Sequence, residues 1–141
     1  MPTTTATISL TNDITSVPTS ISASFDLVKA ASSEGMDTMT SKRKIYTSTD
    51  QVDMIPFGDA GGSTHNFVYI SNASTVSTDY IKVTQTNAAA GSGTEVIVEQ
   101  IGRLYAGDWM FIPWNAADNT QDIAITPSTA NEMPIEYVLI S

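Results

Sequence analysis

Residues Gln100 to Trp114 read Gln-Ile-Gly-Arg-Leu-Tyr-Ala-Gly-Asp-Trp-Met-Phe-Ile-Pro-Trp and hold both tryptophans of the chain. Ala106-Gly107-Asp108 is a turn signal: glycine reaches positive φ without steric cost, and aspartate can hydrogen-bond back to the turn backbone. Trp109 to Ile112 is a short run of aromatic, Met and β-branched residues, the composition of a strand covered on both faces. Pro113 has no N–H to give a ladder and is expected to end the pairing. The stretch predicts a central hairpin or corner of a β-sandwich, with Trp109 and Phe111 facing one way and Met110 and Ile112 the other. Trp109, Phe111 and Ile112 are expected in the core, joined by Tyr137 from the last strand.

The surrounding sequence repeats the strand signal. Upstream, Phe67-Val68-Tyr69-Ile70 is apolar on both faces, and Asp79 to Gln85 places Ile81 and Val83 inward. Glu95 to Ile101 and Asp122 to Thr126 read as further strands. Pro134 to Ser141 alternates Ile135, Tyr137 and Leu139 against Glu136, Val138 and Ile140, so the C-terminus is expected inside the sheet. Lys42 to Ser48 and Gln51 to Phe57 are extended, whereas Lys29 to Ser41 reads as a loop with one turn at most. Ile21, Ala23, Phe25 and Leu27 alternate with Ser22, Ser24 and Asp26, the pattern of a half-buried strand. Residues 1–20, rich in Thr and Ser and broken by Pro2 and Pro18, are expected to form an extended arm, in which the brief alternation Thr7-Ile8-Ser9-Leu10 equally allows a short strand. Short strands between frequent turns, with no helical period, give an all-β chain: an antiparallel, jelly-roll-like β-sandwich over 21–141.

Composition narrows the chemistry. A chain of 141 residues is one domain by size and can bury a core without staples. It has no cysteine, so disulfides, thiolate metal sites and cysteine nucleophiles are excluded. A net charge of −9 with six basic residues argues against nucleic-acid binding, which needs Lys and Arg to neutralise phosphates. No window is long and apolar enough to span a membrane, and the first residues show no secretory signal.

Individual signals weigh towards structure. His65, the single histidine, has no flanking signature of a nucleophile or carboxylate partner and reads as structural. The glycines of Gly58-Asp-Ala-Gly-Gly-Ser-Thr lack the lysine and helix of a phosphate loop. Asp118 to Asp122 lacks the spacing and closing glutamate of a calcium loop. Asn72-Ala73-Ser74 matches a glycosylation acceptor, but turn chemistry explains that asparagine better. Glu95 and Glu99 are about 13 Å apart along one strand, too far for a glycosidase pair. No catalytic group, cofactor or metal is implied, and the chain is expected not to be an enzyme. Lys42-Arg43-Lys44 is either a solvated strand end or a docking point for an acidic partner. Tyr105, Trp109 and Trp114 serve as core, or as a carbohydrate-stacking platform.

The series Asn66-Phe-Val-Tyr-Ile-Ser-Asn-Ala, Asp79-Tyr-Ile-Lys-Val, Ile101 to Trp114 and Ile135-Glu-Tyr-Val-Leu-Ile resembles small virion structural proteins of tailed bacteriophages, marine ones especially. The resemblance covers residues 66–141. It implies a capsid decoration or cement protein, located in the virion, that binds the major capsid protein and neighbouring copies of itself, with a trimer favoured. The alternative it implies is a tail or fibre component binding host-surface glycan through Tyr105, Trp109 or Trp114. Contact with the shell is expected from the arm, through Ile8 and Leu10, and from Lys42, Arg43 and Lys44. An extended arm can add a strand to another chain's sheet edge.

Overall fold

The computed structural model describes residues 4–12, 19–60, 65–87, 96–116 and 121–141. The expected loops over 61–63 and 88–93, and residues 118–120 of the polar stretch weighed as a calcium loop, lie outside them. The described residues form ten strands: β1 (Thr4–Asn12), β2 (Thr19–Leu27), β3 (Met39–Tyr46), β4 (Val52–Ile55), β5 (Asn66–Asn72), β6 (Tyr80–Asn87), β7 (Val96–Tyr105), β8 (Trp109–Trp114), β9 (Gln121–Pro127) and β10 (Met133–Ile140). It divides into two compact units, Met1–Asp37 and Thr38–Ser141.

The larger unit is the sandwich that the alternation predicts. One sheet has the order β3-β10-β5-β8 and the other β4-β9-β6-β7. All pairings are antiparallel, and β3 pairs with β10, β4 with β9, β5 with β8 and β6 with β7. These are the pairs of one long hairpin with its tip between β6 and β7. Further pairs, β10 with β5 and β9 with β6, wrap that hairpin around itself. The result is a jelly roll, in which each connection except β6 to β7 crosses from one sheet to the other. Inward-facing Val68, Ile70, Ile135, Tyr137 and Leu139 meet Ile81, Val83, Leu104, Ile123 and Ile125 in one core cluster.

The opening stretch is a corner. β7 ends in one sheet, Gly107 turns the chain at φ 84°, and β8 begins in the other. The Asp108 carboxylate accepts from the Tyr105 N–H at 2.9 Å, as turn chemistry predicts. A second corner, from β5 to β6, interlocks with it through Asn72. The Asn72 carbonyl accepts from the Gly107 N–H (2.8 Å), and its own N–H donates to the Asp108 carbonyl (3.0 Å). Its side-chain amide donates to the Leu104 carbonyl (3.2 Å) and accepts from the Ser74 N–H (3.1 Å). Asn72 is fully buried.

Three expectations are corrected here. Pro113 does not end the pairing: Phe67 pairs with Pro113 and Asn66 with Trp114. β8 is an edge strand, so a missing N–H on its free side costs no ladder bond. Trp109 is 53 % exposed, and neither it nor Phe111 belongs to the core. Met110 and Ile112 pack against the interior, so their alternating neighbours lie on the outer face. Ile112 and Tyr137 are where the sequence placed them, Tyr137 fully enclosed.

The arm is the third correction. Residues 4–12 and 19–27 form a two-stranded ribbon with β1 and β2 in register from Thr4–Leu27 to Asn12–Thr19, across the expected boundary at residue 20. Its base continues to Asp37: the Met36 N–H donates to the Leu27 carbonyl at 3.0 Å, and Lys29 pairs with Asp37 at 2.8 Å. One face carries Ala6, Ile8 and Leu10 opposite Phe25, Ala23 and Ile21; the other carries Thr and Ser, with Thr5 bonded to Asp26 and Thr7 to Ser24. The expected half-burial of β2 fails, since Ile21 is 57 % exposed. With two strands, each side chain has one lateral neighbour rather than two.

Asn72→Ala strips two buried partners at once and should lower unfolding free energy by about 2–3 kcal/mol, the cost of leaving buried polar groups unmatched. Urea denaturation followed by tryptophan fluorescence checks this, because both tryptophans lie in the sandwich.

Candidate functional site

The expected basic patch is not a single surface. Alternation along β3 turns Lys42 and Lys44 towards the gap between the sheets and Arg43 outward. Lys42 donates to Asp59 of the short 3₁₀ turn Phe57–Ala60 at 3.3 Å. Lys44 donates to the Met54 carbonyl at 3.2 Å and lies over the Tyr137 ring at 5.8 Å. Lys44 bridges the edge strands β3 and β4, and Lys42 ties β3 to the turn that follows β4, so together they close that flank of the sandwich. Asp59, followed by Tyr137, holds the Lys42 ammonium above its ordinary pKa. Arg43 pairs on the outer face with Glu136 at 3.4 Å. Each cation already has a partner within the chain, which weakens the docking reading of all three.

The tryptophans separate as well. Trp114 points inward and is buried. Tyr105 lies on the outside of the other sheet, against Tyr80 (5.5 Å between rings), with Arg103 4.3 Å from the Tyr80 ring centre. Tyr105, Trp109 and Trp114 therefore do not form one platform. A different aromatic group gathers on the outer face of β5 and β8. Phe67 stacks with Phe111 at 5.6 Å, Tyr69 leans on Trp109 at 5.9 Å, and His65 tilts against Phe67 at 4.7 Å.

This outer face has a regular cross-strand order. Trp109 is opposite Ser71, Ser71 opposite Glu136, and Glu136 opposite Arg43, forming one row across all four strands. A parallel row runs Phe111, Tyr69, Val138, Ser41. Near Arg43 the face opens into a cleft of about 340 Å³ between the β3–β10 end and the 73–76 segment. No protein-family model, curated protein or solved structure matches this chain. The reading of the site therefore rests on its own geometry.

Interior polar groups have structural work. The Asp79 carboxylate accepts from Ser74 at 2.7 Å, and Asp122 accepts from the Phe57 N–H at 2.6 Å, each closing a loop against the sandwich. Burial, with a smaller contribution from Tyr137, pushes the Tyr46 phenol up to about 12. Among the described residues no group of three or more His, Asp or Glu side chains is placed to hold a metal ion.

On the ribbon, Ile8 (40 % exposed), Leu10 (59 %), Ile21 (57 %) and Phe25 (40 %) lie on one face, so the sequence-derived contact residues Ile8 and Leu10 are joined by two more. The alternation of Ile21 and Phe25 with polar neighbours is that of a half-buried strand, yet both lie on the exposed face of the ribbon. Tyr69, Ser71 and Glu136 were missed on the sandwich. The signal was present, since Phe67 to Ile70 is apolar at every position and a strand with one buried face needs apolar residues at alternate positions only.

Two outcomes follow. Acrylamide should quench Trp109 readily, so Trp109→Phe leaves a shielded, blue-shifted emission from Trp114. Because the Tyr46 pKa is raised in the fold, the folded state holds its proton more tightly than the unfolded chain does. Stability should therefore fall between pH 10 and about 12. Tyr46→Phe should flatten that part of a pH-dependent urea titration.

Proposed function

We propose that the chain is a non-enzymatic structural protein of a bacteriophage virion, a decoration or cement protein that binds the major capsid protein and neighbouring copies of itself through its N-terminal ribbon. The exposed apolar face of that ribbon supports this reading best. A two-stranded sheet by itself is marginal in water, and Ile8, Leu10, Ile21 and Phe25 gain by being covered. At about half exposure, each would contribute on the order of 1 kcal/mol on burial. That is weak for one copy and sufficient for many copies held on a lattice, where attachment at one point raises the local concentration at the next.

Four side chains about half exposed offer roughly 400 Å² per copy. Any pairwise contact between ribbons, in a dimer or in the trimer the resemblance implies, therefore stays below the roughly 1,200 Å² at the low end of stable interfaces. Attachment at many lattice points has to hold the copies. The ribbon is also nearly free of charge: from Met1 to Val28 its charged side chains are Asp13 and Asp26. Copies of a protein with net charge −9 meet there with the least repulsion. The jelly roll adds an analogy, since viral capsid domains use that architecture often.

Removing residues 1–27, or making the double substitution Ile8→Asp, Leu10→Asp, should abolish co-sedimentation with virions lacking the protein while the tryptophan emission of the sandwich is unchanged. Purified particles should carry hundreds of copies. A few dozen copies would place the chain in a tail or fibre, and undiminished binding by the truncated protein would remove the ribbon from the attachment site.

A further inference from the structure

We propose that the outer row Trp109–Ser71–Glu136–Arg43, with Tyr69 beside Trp109, is a binding site for uncharged hexopyranose chains. A pyranose ring has an apolar C–H face and a rim of hydroxyls. A site for it needs a flat apolar surface beside groups that donate and accept hydrogen bonds, and this row supplies both in sequence. The Trp109 ring is half exposed and tilted 31° to Tyr69 at 5.9 Å, so its neighbour limits its rotation and leaves room for a sugar. Ser71 follows one strand away, then the Arg43–Glu136 pair at 3.4 Å, with both side chains exposed. The guanidinium donates to hydroxyl oxygens and the carboxylate accepts from hydroxyl hydrogens, so together they match adjacent hydroxyls of one ring.

The spacing extends the site beyond a single sugar. Four strands at about 4.8 Å place Trp109 and Arg43 roughly 14 Å apart at the backbone, room for more than one ring. The cleft of about 340 Å³ continues past Arg43, lined by Ser74, Thr75 and Glu132 above an apolar floor of Ile45 and Pro134. Charge selects the ligand class. Glu136 neutralises Arg43, Glu132 adds a negative charge in the cleft, and the chain carries −9 overall. Sulfated, phosphorylated or sialylated chains meet repulsion there, and neutral ones do not. The site lies within the sandwich and is independent of the ribbon's role.

Isothermal titration of the full chain with neutral gluco-, galacto- and manno-hexaoses tests it, with tryptophan emission followed in parallel. At least one hexaose should bind and shift the emission. Trp109→Ala should weaken that binding roughly tenfold or more, the scale of one lost aromatic contact, with Trp109→Phe restoring part of it. Arg43→Ala and Glu136→Gln should each weaken it several-fold and carry the test if Trp109→Ala fails to fold. Tyr105→Ala, on the other sheet, should leave binding unchanged. Absence of binding by all three hexaoses, or binding that survives Trp109→Ala, overturns the proposal. So does a Trp109→Ala protein whose sedimentation mass drops below wild type, which makes the row a contact between copies.

Discussion

The jelly roll depends on the bonding of one buried asparagine. A chain that changes sheet at almost every connection must bend sharply, and each bend takes backbone polar groups out of their ladders. At the β5–β6 and β7–β8 corners these groups satisfy one another: Asn72 bonds through its backbone to Gly107 and Asp108 and through its amide to Leu104 and Ser74. The two corners are one hydrogen-bonded unit, and without it buried N–H and C=O groups would be orphaned. Gly102 adds space nearby, since a Cβ there would stand 3.4 Å from the Met110 terminal methyl.

The two flanks of the sandwich are closed by different means, and this determines which surfaces are left for partners. Beside β3 and β4, Lys44 reaches across to the opposite sheet and Lys42 to the turn that follows β4, so both contribute to sealing that edge. Beside β7 and β8 the covalent turn at Gly107 makes the closure. β8 needs no long side chain to bridge the gap, and its outward positions carry Trp109 and Phe111.

The ribbon and the outer sheet face are apolar for different reasons. On the sandwich, Tyr69, Phe111 and Trp109 are braced by ring contacts on a sheet whose other side is fully packed, so they form a rigid surface. On the ribbon, Ile8, Leu10, Ile21 and Phe25 lie on a two-stranded support, where covering the apolar face adds to the stability of the element itself. Rigid aromatic surfaces suit selective recognition of a ring, and a marginal ribbon suits coupling of order to assembly.

The apolar run at 67–70, alternation along 79–85 and 134–141, the turn at 106–108 and the absence of any helical period determined an all-β sandwich with Tyr137 inside and a corner before Trp109. These are local properties, fixed by the two-residue period of a strand and by the φ that glycine permits. Tertiary structure alone decided that β3 pairs with β10 and β4 with β9, because those partners are far apart in sequence and nothing local marks them. It also decided that Trp109 and Phe111 face outward, since an apolar run does not say which side of a strand meets the core. Likewise, only alternation and the neighbouring elements decided that Lys44 bonds to the Met54 carbonyl of the opposite sheet and Lys42 to Asp59, which no local signal at Lys42-Arg43-Lys44 marks. Thr4–Asn12 became half of a ribbon because pairing with Thr19–Leu27, rather than any property of the segment alone, gives its backbone a partner.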